Sequence, residues 1–303
     1  MVPDLIFDIG MHNGDDTAYY LHKGFRVVAV EANPLLVQQA SQRFGDALAC
    51  GRLILLNRGI GPSEGVQTFW VNEAHTEWSS FIHEVAARDQ SPCHAIDVPC
   101  VTFPSLLRDY GTPYYLKSDI ERHDIYCLKG LAPSDLPVYV SVEAHVLEYL
   151  SILSSLGYNA FKCVNQVDHN DPTMTGRARR RGPGLYSRLK TAFRKNPFVR
   201  AARRMLFRLP GLYRLLEHKT TPPPESAPSE KRWFFPDGSS GPFGEDTPGP
   251  WLALEQVAYQ YLHFKTGHPE RGPLDPDGWF DFHATKKQDL AREYQRKEFI
   301  AAG

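Results

Sequence analysis

Cysteine is scarce and unpatterned in this chain of 303 residues: Cys50, Cys93, Cys100, Cys127 and Cys163 are odd in number and never fall in a C-x-x-C pair. That spacing indicates neither a disulfide framework nor a structural zinc site, and the thiols are expected to be reduced. Long apolar runs are also missing, with nothing near the ~20 residues that a spanning helix needs. The first apolar run begins at Leu5, which leaves no room for a signal peptide, so the expected location is the cytoplasm. There is no G-x-G-x-x-G turn, which argues against a dinucleotide cradle and a nicotinamide-dependent oxidoreductase. Net charge is almost absent, −1, and a content of 42% hydrophobic and 23% charged residues fits a globular protein of one large domain or two.

What is present centres on Asp4 to Pro34, which reads as strand, glycine turn, helix, strand. Leu5 to Ile9 and Arg26 to Val30 are short, mostly apolar runs, the pattern of parallel strands buried on both faces. Between them Gly10 and Gly14 bracket a turn, and Asp15 to Lys23 is a helix ended by Gly24. Such a turn lets backbone approach a ligand while the N–H groups of the helix start face it. Glu31 follows Gly10 by 21 positions, where a carboxylate can accept from both hydroxyls of a ribose. The spacing is G-x-x-x-G preceded by Asp8, and the acidic strand end suits a nucleoside with a cationic amino-acid portion, such as S-adenosylmethionine.

At these residues the chain resembles the FkbM-type S-adenosylmethionine-dependent methyltransferases. The resemblance rests on Asp8-Ile9-Gly10-Met11-His12-Asn13-Gly14, Thr17, Glu31-Ala32-Asn33-Pro34, Asn57, Tyr115-Leu116-Lys117-Ser118-Asp119-Ile120-Glu121 and Leu128-Lys129-Gly130, and it spans residues 4 to 165. It implies an α/β class I methyltransferase fold, a Rossmann-like doubly wound sheet of seven strands with strand seven antiparallel. It also implies transfer of a methyl group to an oxygen of a sugar, glycan or natural product. The implied cofactor-binding residues are Asp8, Gly10, His12, Gly14, Thr17, Glu31, Asn57 and Asp119. Three positions depart from the family: His12 stands where Asn is common, Arg122 where Gly is common, and Phe103-Pro104 where Thr-Leu-Asp is usual.

Further along, a helix is expected over Pro34 to Phe44, then a third strand over Leu53 to Leu56. Asn57 and the loop Gly59 to Pro62 follow at its carboxyl end, where adenine lies in this fold. Val66 to Val71 alternates as a half-buried strand, Thr76 to Phe81 is a polar-aromatic loop able to cover the cofactor, and Ala95 to Val101 is another strand before a helix from Pro104. Tyr114 to Ile120 reads as the fourth core strand and Val138 to Val142 as the fifth. Their ends carry Asp119, Glu121, His123 and Asp124, then Glu143 and His145, at the side where open α/β sheets bind ligands.

A hydroxyl acceptor needs a base, a metal or proton loss to a carboxylate. The expected catalytic group is Asp119 near the acceptor, His145 or His123 as general base, and Glu143 as orienting partner. In a second version Asp119, Glu121, Glu143 and His145 hold a Mg²⁺ ion. Alternatively, Glu121 and His123 only cap or pair with the following helix.

After the helix Leu147 to Leu156 and a sixth strand over Asn159 to Val164, the best seventh strand is Gly278 to Ala284, more than a hundred residues on. The expected organisation is a cofactor-binding core over 1–168, a basic helical insertion with a Pro-rich connector over 169–232, and a final part over 233–303. Residues 177–219 hold 14 Lys/Arg against Glu217 alone, leaving 20 basic and 34 acidic residues elsewhere. An amphipathic helix over 196–210 within that block can pack on the acidic core or lie on an anionic membrane surface, which would place the protein at the inner face of the membrane. Trp233 to Trp251 reads as an ordered loop in which Glu245 and Asp246 could reach sugar hydroxyls beside Trp233 or Trp251. Asp281 and His283 share one face of strand seven, and His283 is expected as a surface or sheet histidine. The expected partner is a small-molecule or glycan acceptor. A nucleic-acid methyltransferase is the alternative the basic block allows, although it lacks the interleaved stacking residues of an RNA module. A non-catalytic nucleotide-binding or scaffold protein would keep Gly10, Gly14 and Glu31 and tolerate loss of Asp119 and His145.

Overall fold

The computed structural model describes residues 1–167, 169, 233–236, 238–266 and 278–290. The basic block 177–219, its helix over 196–210 and the Pro-rich connector lie outside the described residues. The described residues up to 169 and from 235 onward form one unit that carries the sheet and the site.

Its centre is a seven-stranded sheet. Strand β1 (Val2–Ile9) leads through helix α1 (Asp15–His22) to β2 (Arg26–Glu31), then through α2 (Pro34–Arg43) and α3 (Gly45–Ala49) to β3 (Leu53–Asn57). After an excursion through β4 (Gly59–Ile60), β5 (Gly65–Asn72), α4 (His83–Ala86), β6 (Cys93–Val101) and α5 (Phe103–Tyr110), the chain re-enters the sheet as β7 (Pro113–Ser118). Helix α6 (Asp124–Lys129), β8 (Tyr139–Glu143), α7 (Glu148–Ser155) and β9 (Ala160–Asn165) come next, and α8 (Leu254–Thr266) and β10 (Phe280–Thr285) complete the unit. The strand order is β3-β2-β1-β7-β8-β10-β9, parallel except for β10, which runs antiparallel to both neighbours. The expected late strand seven is therefore present in the expected place. The order reverses beside β1, between β2 and β7, which opens a ligand crevice at the carboxyl ends of these strands.

Local signals explain the elements. Asn33 caps α2 by accepting from Leu35 N–H (3.0 Å), and Pro34 sits at the first turn, where no N–H is needed. Thr102 caps α5 in the same way, with Pro104 in its first turn. On one face of the sheet α8 buries Val257, Tyr261 and Phe264, and the Tyr261 ring meets Phe282 at 5.0 Å.

Two features add to the sequence reading. The half-buried strand expected over Val66 to Val71 is β5, which lies in a separate three-stranded sheet, β4-β6-β5, where β5 and β6 form a long antiparallel pair. Its consequence for the site is an anchor: Trp70 and Ser80 exchange backbone hydrogen bonds of 2.8 and 3.0 Å, which fixes the 76–81 segment. The second concerns β10. Asp281 and His283 share a face as expected, and of the two readings of His283 the structure has the sheet histidine, because both residues are 2% exposed. The segment 239–247 covers this face, with Phe243 stacked on Tyr115 at 4.3 Å and Lys162 donating to the Thr247 carbonyl at 2.7 Å. Burial beside Lys162 and His169 drives the His283 pKa down to about 3, so this imidazole is neutral. Within the same segment Glu245 accepts from Trp251 Nε1 (2.8 Å) and Asp246 from Lys23 (2.9 Å); both carboxylates serve to dock the segment.

Candidate active site

The glycine turn is held from behind. Lys117, on β7 directly beside Asp8, is 2% exposed and donates to the Gly10 carbonyl at 2.7 Å. It stands 3.3 Å from Asp8, 3.8 Å from Asp119 and 3.9 Å from Asp16. Burial works against the ammonium, yet the carboxylates of Asp8, Asp119 and Asp16 outweigh it and hold the Lys117 pKa above its ordinary value. Asp8 also accepts from the Thr17 hydroxyl at 2.6 Å, and both residues are fully buried. Asp8 and Thr17, expected as cofactor-binding residues, brace the glycine turn from behind. Gly10 itself, at φ 81°, lies so close to β7 that a Cβ would fall 1.9 Å from the Asp119 carbonyl oxygen. No side chain fits there.

The cleft opens in front of this turn. Gly10, His12, Glu31, Ile60, Phe69, Thr76, Phe81 and Ile120 are among the residues lining it. Glu31 ends β2 and accepts from His12 N–H and Asn33 N–H, each at 2.8 Å, one on either oxygen. Burial pushes its carboxyl up, against the pull of those two N–H groups. His12, at φ 52°, sits 2.9 Å from the Thr76 hydroxyl through Nε2, so the 76–81 segment reaches across the cleft as expected of a covering loop. Asn57 stands outside this lining and donates to the carbonyls of Glu31 and Ala32, both at 3.0 Å, which fixes the end of β2.

Beyond β7 the chain makes a strained turn. Glu121 and Arg122 are both left-handed, at φ 50° and 79°, and Asp124 secures them by accepting from the Ser118 hydroxyl and from Ile120 and Arg122 N–H. A non-glycine residue in this region costs on the order of 1 kcal/mol, which gives a physical reason for the glycine usual at position 122 in the resembled family. Arg122→Gly is therefore expected to raise unfolding stability by about 1 kcal/mol, read from the denaturation midpoint; a lower midpoint would show that Arg122 contributes contacts worth more than the strain.

This turn brings together three of the expected chemical groups. Donor atoms of Glu121, Glu143 and His145 lie within 4.8 Å of one another, and His145 Nε2 is 2.8 Å from Glu143 Oε2. Glu121 is gripped by Arg88 through two bonds of 2.7 and 2.6 Å. Burial first, and then the charges of Asp119, Glu121 and Asp124, raise the Glu143 carboxyl well above its ordinary value. Asp119 is not among the three, but its side chain is the most exposed of the strand-end carboxylates, at 22%. His123 is placed elsewhere: its Nδ1 is 3.1 Å from the Ile60 carbonyl, its ring stacks on Phe81 at 4.8 Å, and burial lowers its pKa. With Nδ1 turned to the Ile60 carbonyl, it stands apart from the Glu121, Glu143 and His145 cluster, and its Nε2 is the nitrogen left to accept a proton. Lys117, Asp16, Arg88 and Asp281 were missed as site residues. Only Lys117 left a signal, a lone charge in an otherwise uncharged run of a core strand.

A sheet that reverses order beside a glycine turn, with one antiparallel strand next to its end and a carboxylate closing β2, defines a class I methyltransferase. A family model for the methyltransferase FkbM domain matches residues 8–160, half of the chain. The chain belongs to the FkbM methyltransferase family. Among solved structures, an FkbM methyltransferase from Methylobacillus flagellatus KT is 19% identical with a TM-score of 0.36, the match covering 51% of this chain and 38% of that one. A precorrin-6y C5,15-methyltransferase from Geobacter metallireducens GS-15 is 15% identical (TM-score 0.32; 54% and 67% covered). A TehB-like SAM-dependent methyltransferase from Corynebacterium glutamicum is 11% identical (TM-score 0.30; 54% and 70% covered). Among curated proteins none matches. No helix among the described residues is long and apolar enough to cross a membrane.

Proposed function

We propose that the protein methylates a hydroxyl of a sugar, glycan or other small natural product, with S-adenosylmethionine as donor. The observation that carries this reading is the convergence of Glu121, Glu143 and His145 at the ends of β7 and β8, with the Asp119 carboxyl next to Glu143 and the Asp119 backbone packed against Gly10 of the cofactor turn. A hydroxyl is a poor nucleophile until its proton is drawn off, and this is a cluster of proton acceptors set beside the cofactor cleft.

The cleft fits the donor by its chemistry. Glu31 retains lone pairs for two ribose hydroxyls after taking its two N–H groups, while Ile60, Phe69 and Phe81 offer apolar surface for a base. Bound there, S-adenosylmethionine supplies an electrophilic methyl carbon on a sulfonium. The rest falls to this chain. Lys117 keeps Gly10 and Asp119 in place, the 76–81 segment limits water access, and Asp119 receives the hydrogen bond of the acceptor hydroxyl. Glu143 and His145, beside it, manage the proton.

Asp119→Asn tests this. It is expected to bind S-adenosylhomocysteine within about threefold of wild type while turnover on the acceptor falls on the order of 100-fold, the lower range for loss of a general acid-base group. Unchanged turnover would remove Asp119 from the mechanism. The acceptor is best sought among glycans and lipid-linked sugars by following transfer of a labelled methyl group.

A further inference from the structure

Among the described residues, buried carboxylates at the carboxyl ends of β7 and β8 and the start of β10 outnumber the Lys and Arg side chains that face them. Lys117 is shared among Asp8, Asp16 and Asp119, and Arg88 is committed to Glu121 through both of its terminal nitrogens. Of the described basic groups, Glu143 has only the His145 imidazole beside it, at 2.8 Å, and Asp281 only the more distant charge of Lys117; the two carboxyls face each other directly across the β8–β10 ladder. Ala144 N–H donates to the Phe280 carbonyl at 2.8 Å, which makes Glu143 and Asp281 the kind of opposed pair that exchanges no backbone hydrogen bonds with each other. Side chains stand closest in such pairs, with Cβ atoms about 4.5–5.5 Å apart. Asp281 is 2% exposed, and its Oδ1 accepts no hydrogen bond among the described residues. Two apposed buried carboxyls cannot both be ionised unless a cation lies near them.

The remaining geometry says where that cation would sit. Glu121, Glu143 and His145 each offer one donor atom, all mutually within 4.8 Å. Atoms that share an ion at about 2.1–2.4 Å lie no more than ~4.8 Å apart. The oxygens of Glu121 keep lone pairs beyond those Arg88 uses. We propose that Glu121, Glu143 and His145 bind one divalent cation of the Mg²⁺/Mn²⁺ class, whose charge also offsets the buried Asp281 carboxyl opposite Glu143. Carboxylates with a single imidazole suit Mn²⁺, and Mg²⁺ can occupy the same oxygens.

This proposal rests on the hydroxyl-methylation reading and says how the cluster would manage the proton. An acceptor hydroxyl held on the ion becomes more acidic, and its O–H bond breaks as the proton passes to Asp119. The oxygen lone pair then forms the bond to the methyl carbon while the sulfonium C–S bond breaks, leaving the neutral thioether.

The test uses the whole chain, freed of metal with a chelator and titrated with MnCl₂, with unbound Mn²⁺ read by electron paramagnetic resonance. One ion per chain is expected, displaced by excess Mg²⁺. Glu143→Gln should weaken binding at least tenfold, and Glu255→Gln, on the exposed side of α8, should leave it unchanged. If circular dichroism shows Glu143→Gln unfolded, Asp281→Asn takes its place and should weaken binding through the lost charge. Absence of saturable binding overturns the proposal, as does binding that these variants leave untouched. S-adenosylhomocysteine binding on the same metal-free protein separates the two readings: cofactor binding without Mn²⁺ binding ends the cation proposal alone, while loss of both ends the methyltransferase reading too.

Discussion

Lys117→Met is expected to destabilise the fold by about 4 kcal/mol, the range measured when one partner of a buried ion pair is removed. At roughly 2–4 °C per kcal/mol for a chain of this size class, the melting temperature should fall by roughly 10 °C. The reason is local. Lys117 is buried, lies within 4 Å of three aspartates and ties the Gly10 carbonyl at 2.7 Å, so its removal leaves Asp8 and Asp16 buried with one fewer cation and frees the cofactor turn. Adding Asp8→Asn to the same chain should recover part of the loss, because one of the stranded charges is gone. Thermal unfolding followed by circular dichroism decides the matter. A variant within about 1 kcal/mol of wild type would mean the aspartates are already protonated and Lys117 holds nothing together.

The second large effect falls on binding. Glu31→Ala should weaken S-adenosylhomocysteine at least about 100-fold, since two hydrogen bonds to a charged acceptor contribute ~1.5–3 kcal/mol each and 1.4 kcal/mol is tenfold. Glu31→Gln, which keeps the shape and one good acceptor, should lie between. Both are read by calorimetry on protein whose fold is confirmed. If Glu31→Ala binds as wild type does, the carboxylate serves only as a cap for His12 and Asn33 N–H, the two bonds it makes in the structure.

Much of the fold was legible in the sequence because parallel strands buried on both faces read as short apolar runs. β1, β2, β7 and β8 announced themselves that way, and β3 also reads as an apolar run although it is a half-exposed edge strand. Even β10, far along the chain, was readable from the alternation in Gly278 to Ala284. What alternation could not tell was what covers each face. Alternation put Asp281 and His283 on one face and left His283 open between surface and sheet; the 239–247 segment packs over that face. The second sheet was illegible for a different reason: β5 ends at Asn72 and β6 begins at Cys93, with α4 between them, so no short hairpin signal announces their pairing. Lys117 is the most telling case. A lysine in a core strand breaks the apolar pattern, and only the aspartates brought in from β1 and α1 make its burial tolerable. His12 and Arg122 stand out in the sequence as departures from the family pattern; both prove to be left-handed, a conformation that Asn and Gly adopt more readily.

If the cleft between the glycine turn and the 76–81 segment holds the methyl donor, calorimetric titration of the wild-type chain with S-adenosylhomocysteine tests that most directly. One saturable site per chain is the expected result; folded protein that takes up no S-adenosylhomocysteine would contradict it.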